Sequence, residues 1–350
     1  MSGPVRPSGI LTVARLEFRL RIRAGRWRWL VASWFAVLLV ITVLVRAAAG
    51  QQNVAGDEEA LGAVMFGVVV LVVLALALLV APALAAQSVN GDRERGTLAT
   101  LQVTRLSAGE IGVGKLLASW GTALVFLAVT LPLALWCFVE GGLSVLRVAG
   151  VYLVTALLLG VVCALSLALS ALLARSTTSG VLAYLTVFAL TVGTLIAWGL
   201  LTAATQETVR ASSQVCDGAS CQTYAYETTI ARTDRTWWLL APNPFAVLAD
   251  SAPAGPVHEV RLPDGRTVRE PVAVDVLGSM SRALHDMRIR REPVATELGT
   301  SYQVPAGATG GPVWPTGLAI DLLLAAGASW LTVRRLRTPS DRLARGQRIA

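Results

Sequence analysis

Gly109-Glu-Ile-Gly-Val-Gly114-Lys115-Leu116 comes within one residue of the loop with which nucleotide hydrolases hold phosphate. That loop needs a serine or threonine after its lysine to ligate magnesium, and a strand before it; here Leu116 follows and a polar stretch precedes. Ser107 and Glu110 are spaced instead as a capping box, each side chain satisfying the other's amide at a helix start, which puts the glycines in the first turns of a helix. No nucleotide site is expected in this chain, so energy from ATP would come from another one. Asp321 interrupts the apolar run Leu-Ala-Ile-Asp-Leu-Leu. A carboxylate in lipid is costly and is a functional candidate by default; pairing with another helix, or protonation, is the structural alternative. Cys216 and Cys221 stand five positions apart in a polar segment, where an oxidising compartment would join them in a small disulfide loop. Cys137 and Cys163 sit in apolar runs as packing residues. With His258 and His285 each isolated, no metal site is expected. Paired catalytic groups are missing from the apolar runs, which argues against an intramembrane enzyme.

A membrane scaffold must position these groups. The chain is 54% hydrophobic and 15% charged, with a mean hydropathy of +0.62, too apolar for an ordinary soluble protein of 350 residues. Six apolar runs, at about 30–45, 61–86, 111–139, 145–174, 180–201 and 313–333, are long enough to span a bilayer core as helices. The pI of about 10.0 suggests nucleic acid at first sight. The arginines, however, cluster beside the apolar runs, as orientation in a bilayer requires, and nucleic-acid binding is not expected. Arg15 to Arg28 precede the first run and Arg334 to Arg348 follow the last, which places both termini in the cytoplasm and demands an even number of spans. Ala47-Ala48-Ala49 resembles a signal-peptidase site, but the preceding segment is too long and Arg46 adjoins it. Arg15 to Arg23 alternates with period two, like a strand, yet Arg15, Arg19 and Arg23 recur at i+4; an amphipathic helix at the membrane surface is expected.

The resulting organisation is a cytoplasmic interface segment at 1–29, five spans within 30–201 that include a cytoplasmic elbow at 88–110, an external segment at 202–312, a sixth span at 313–336 and a basic cytoplasmic tail at 337–350. Asn90-Gly91 is suited to ending the second span, and Asp92 to opening a short helix in which Leu98 and Leu101 share a face. Pro82 and Pro132 should kink their spans. In the external segment Asp264-Gly265 between alternating residues signals a small β-hairpin, and Asn243-Pro244 a turn.

At the elbow the chain resembles the membrane subunits of ABC exporters of the ABC-2 type. Their pattern Glu-x-Gly-Thr-Leu-x-x-Leu-x-x-Thr-x-Leu-Ser, then Ile or Leu and Gly-Lys, is met by Glu94, Gly96, Thr97, Leu98, Leu101, Thr104, Leu106, Ser107, Ile111, Gly114 and Lys115. Ala99 stands where the family often has an acidic residue, and Arg105 where it often has proline. The resemblance implies an all-α polytopic membrane protein with six transmembrane helices, a coupling-helix elbow between the second and third, and a long extracellular loop between the fifth and sixth. It implies a non-catalytic permease of the plasma membrane that pairs with a second permease, as homo- or heterodimer, around a pathway lined by the second and fifth spans. ATP and magnesium would be bound by separate cytoplasmic ATPase subunits, docked on Glu94, Gly96, Thr97, Leu98 and Leu101. A proton-coupled secondary transporter using Asp321, and a membrane sensor or assembly protein using the external segment, are the alternatives. The cargo is left open.

Overall fold

Hydropathy marks where a helix crosses lipid, but backbone hydrogen bonding carries the helix further, and the observed elements outrun the apolar runs. The computed structural model describes residues 6–23, 27–51, 61–94, 96, 106–217, 220–252, 257–261, 267–271, 275–290, 292–296, 299–303 and 310–337. Among the described residues, six helices are long and apolar enough to cross a membrane. The chain is therefore an all-α, multi-pass membrane protein with little sheet.

The residues form two compact units. The first takes in residues 1–188, 252–276 and 319–350. It begins with α1 (Pro7–Arg23), a helix and not a strand, with proline at the first position where its missing N–H costs nothing. Helix α2 (Trp27–Gln51) starts at the tryptophans and runs through Ala47 to Ala49, beyond the expected 30–45. Helix α3 (Leu61–Ala85) is followed by a turn at 86–89 and by the short α4 (Asn90–Glu94). Helix α5 (Ala108–Ala128) is separated from α6 (Leu131–Val139) at Pro132, which lacks an N–H to continue the ladder; the Leu133 and Ala134 amides restart it on the Thr130 carbonyl. Helix α7 (Val145–Leu172) follows, N-capped by Ser144, and then α8 (Ser176–Phe188).

The second and third crossing helices, counted through their breaks, cover 34 and 32 residues. At 1.5 Å per residue that is about 50 Å, against a hydrocarbon core of about 30 Å, so both project well beyond the lipid. Helix α3 is the core of this unit, with Met65, Phe66, Leu74 and Leu78 buried, whereas Val40 and Leu44 of α2 stay exposed. Two strands, β1 (Val257–Arg261) and β2 (Thr267–Pro271), pair antiparallel on either side of Asp264-Gly265, which lie outside the described residues. The stretch that carries them is tied to α7 through Asp275, whose carboxylate accepts at 2.7 Å from Arg147, both side chains only 2% exposed.

One expectation is corrected here. Asn90-Gly91 does not end the second span. The chain turns before them, Gly91 is not left-handed, and Asn90 is fully buried by hydrogen bonds to the fourth and fifth crossing segments. The left-handed stop is Gly96, at φ 70°, whose amide donates to the Arg93 carbonyl at 3.1 Å.

The second unit takes in residues 189–251 and 277–318. The fifth crossing helix continues through a π-turn (Ala189–Gly193) into α9 (Thr194–Ala204). The Thr191 carbonyl within the π-turn accepts from the Asn243 side-chain amide at 2.7 Å, while the Asn243 side-chain oxygen caps α10 (Pro244–Ser251) through the Phe245 amide at 2.9 Å. Two hairpins that the sequence reading did not anticipate join Glu207–Asp217 to Ser220–Ile230 and Glu292–Thr296 to Gly299–Gln303. Asp250 of α10 accepts from Ser281, on α11 (Val276–Met287), and from the Val313 and Trp314 amides at 2.6 and 2.8 Å. It thereby caps α12 (Trp314–Leu336) from a distant part of the chain.

Candidate functional site

The elbow is built on α4, and α4 is gripped from two sides. On one side stand α7 and α8. The Ser170 hydroxyl accepts the Val89 and Asn90 amides, each at 3.2 Å, the Asn90 side-chain amide donates to Ser179 at 3.3 Å, and the Ser179 hydroxyl donates to the Ala86 carbonyl at 2.7 Å. Arg93 donates to the Leu173 and Ala171 carbonyls at 3.1 and 3.2 Å, supplying positive charge where the last carbonyls of α7 have no helical partner. Glu94 accepts the Ser176 amide at 3.3 Å, at the start of α8. Beneath these bonds Val89, Ile111, Leu167, Ala171 and Leu336 form a buried apolar cluster.

On the other side stand α5 and α1. Lys115, on α5, is completely buried and donates to Glu17 of α1, to Asp92 of α4 and, at 3.1 Å, to the Ser88 carbonyl of the turn before α4. Removing one partner of such a buried cluster leaves an uncompensated charge and typically costs about 3–5 kcal/mol. Nearby, Arg21 donates to the Leu84 carbonyl at 3.0 Å and to Ser119 at 3.1 Å. Burial pulls its guanidinium below the usual range, with Glu17 acting in the opposite sense.

Helix α1 lies along α5 in the same direction. Gly9 adjoins Glu110, Val13 adjoins Gly114, Glu17 meets Lys115 and Arg21 meets Ser119. At Gly114 a Cβ would stand 2.6 Å from that of Val13, so only glycine permits this approach. Ser107 and Glu110 form the reciprocal capping box of α5. The glycines from 109 to 114 thus lie in the first turns of a helix, and Lys115 faces carboxylates.

Of the residues singled out for docking, Glu94 is exposed at the end of α4 and Gly96 forms the stop after it; Thr97, Leu98 and Leu101 lie outside the described residues. Asp321, in α12, is 1% exposed, and neither of its oxygens has a hydrogen-bond partner among the described residues. Cys216 and Cys221 are directly opposed in the strand register, next to the hairpin turn. The roles of Glu17, Arg21, Arg93, Lys115, Ser170 and Ser179 were missed. One signal did exist: of 30 basic side chains, Lys115 is the single lysine, the exception in a chain that otherwise uses arginine.

A family model described as ABC-2 family transporter protein matches residues 11–242. The chain belongs to the ABC-2 transporter family. As an ABC-2 protein it is a permease, the membrane subunit of an ABC transporter. The ABC-2 match covers most of α1, the first five crossing helices and the whole elbow, whereas α12 with Asp321 lies beyond it. No curated protein matches this ABC-2 chain.

Proposed function

We propose that this permease is the pathway-forming subunit of an ATP-driven exporter of the plasma membrane. It works as a dimer with a second permease and carries no catalytic site of its own. Both termini and the elbow face the cytoplasm, where Glu94, Gly96, Thr97, Leu98 and Leu101 dock on a separate ATPase subunit that binds ATP and magnesium. The observation that supports this most directly is the double grip on α4. A segment bonded to α7 and α8 on one side and to α5 and α1 on the other passes a displacement on as rigid-body motion, which a solvated loop would absorb. Exposed apolar residues such as Val40 and Leu44 on α2 and Leu323 on α12 leave surface for lipid and for the second copy. The external segment carries a Cys216–Cys221 disulfide, which non-reducing peptide mass mapping would detect as one cross-linked peptide pair.

The test is purification of the tagged chain in mild detergent, with mass spectrometry of associated proteins and an ATPase assay, for wild type and Glu94→Arg. An ATPase should accompany the wild type and be lost from a folded Glu94→Arg variant. If no ATPase accompanies either, the reading is overturned. One observation favours a second reading, a proton-coupled transporter: Asp321 is buried in a crossing helix without a hydrogen-bond partner among the described residues. Cargo flux in vesicles driven by a pH gradient without ATP, abolished in Asp321→Asn, would select it.

A further inference from the structure

We infer that Lys115 is a positioning residue that joins the elbow to the N-terminal helix, so that α4, α5 and α1 move as one body and carry elbow displacement to the first span. This rests on the reading of the elbow as the ATPase dock. An ammonium has three donors, and here the acceptors come from three separate segments: Glu17 of α1, the Ser88 carbonyl and Asp92 of α4. None of the charge is left for solvent, since Lys115 is fully buried. A planar guanidinium presents its donors in a fixed fork, whereas an ammonium is a compact point that three convergent acceptors can surround, which accounts for lysine in an arginine-rich chain.

The rest of α1 is fastened chiefly to α5, with Arg21 also donating to the Leu84 carbonyl of α3 at 3.0 Å. Gly9, Val13, Glu17 and Arg21 follow one another at four-residue intervals, a single row down one face of the helix, and each meets α5. At Glu17 that row also reaches α4, through the shared ammonium. Helix α1 ends at Arg23 and α2 begins at Trp27, so whatever moves α1 acts at once on the first crossing helix. The ionic link thus ties the elbow to the helix that leads into the first span.

The experiment compares the permease–ATPase complex in lipid nanodiscs as wild type, Lys115→Met, the neutral triple variant Glu17→Gln, Asp92→Asn, Lys115→Met, and Glu17→Gln alone. Thermal midpoint, bound ATPase, and kcat and KM for ATP are measured for each. Lys115→Met should lower the midpoint, and the triple variant should restore it, because neutral groups bury without uncompensated charge. Both should retain the ATPase and keep KM for ATP within about twofold, while kcat falls about tenfold or more. If kcat recovers together with the midpoint in the triple variant, the link is structural only and the inference is overturned. Should the triple variant not yield folded complex, Glu17→Gln decides: the Glu17 side chain is 18% exposed, and the variant should lose turnover with little change in midpoint, whereas wild-type kcat overturns the inference. Absence of any ATPase from the wild-type preparation is a different result, and refutes the docking reading itself.

Discussion

Glu110 accepts the amide of Arg6 at 2.7 Å with one carboxylate oxygen and the amide of Ser107 at 2.6 Å with the other, so a single side chain starts two helices. Arg6 immediately precedes α1, and Ser107 is the N-cap of α5. The N-terminal helix is therefore fastened at the same point where the elbow ends. Each lost cap is worth about 0.5–2 kcal/mol, so Glu110→Ala should destabilise the permease by about 1–4 kcal/mol. Glu110→Gln, which keeps one acceptor, should cost about half of that. Thermal unfolding in detergent checks both, and equal midpoints for the two variants would contradict the shared cap.

Arg147 and Asp275 form another deeply buried ion pair, between α7 and the stretch leading into α11. Arg147→Met alone strands the carboxylate and should cost about 3–5 kcal/mol, whereas Arg147→Met with Asp275→Leu should recover most of the loss. A double-mutant cycle in thermal stability measures the coupling directly. Additive losses would mean that the pair acts as two independent sites.

Asp321 has both oxygens buried, without a hydrogen-bond partner among the described residues. Removing an unpaired buried carboxylate relieves its desolvation, so Asp321→Leu should stabilise the isolated permease by about 1–3 kcal/mol. A lowered midpoint would show that the carboxylate finds its partner in the assembled transporter.

Asp234 accepts from Arg232 at 2.9 and 2.8 Å, and these bonds hold its carboxyl below the usual range. A carboxylate with a depressed pKa in the folded state contributes stability above its unfolded pKa of about 4 and loses it as pH falls further. Acidification from about pH 5 to pH 3 should therefore lower the thermal midpoint less in Asp234→Asn than in wild type. Parallel pH profiles would rule the contribution out. Because Asp234 is partly exposed, solvent screening keeps the effect small, and the comparison belongs at low ionic strength.

Much of this protein was legible in the chain itself. The six apolar runs, the capping box at Ser107 and Glu110 and the break at Pro132 are local properties: each depends on residues within a few positions of one another, and the backbone responds to them wherever the segment ends up. The hairpin at 292–303 lacks the Asp-Gly pair that marked the one at 257–271, so nothing local announced it, whereas the hairpin at 207–230 carries Asp217-Gly218 where its strands meet, a signal that was overlooked.

Tertiary structure alone decided the rest. Lys115 reads locally as the end of a phosphate-loop look-alike, and its partners lie 98 and 23 positions away. Asn90 reads as a helix stop until Ser170 and Ser179, 80 and 89 positions on, bury it. Hydrophobicity and helix capping are written in neighbouring residues, but the pairing of a buried charge depends on which helix faces meet, and that is set only when the whole bundle packs.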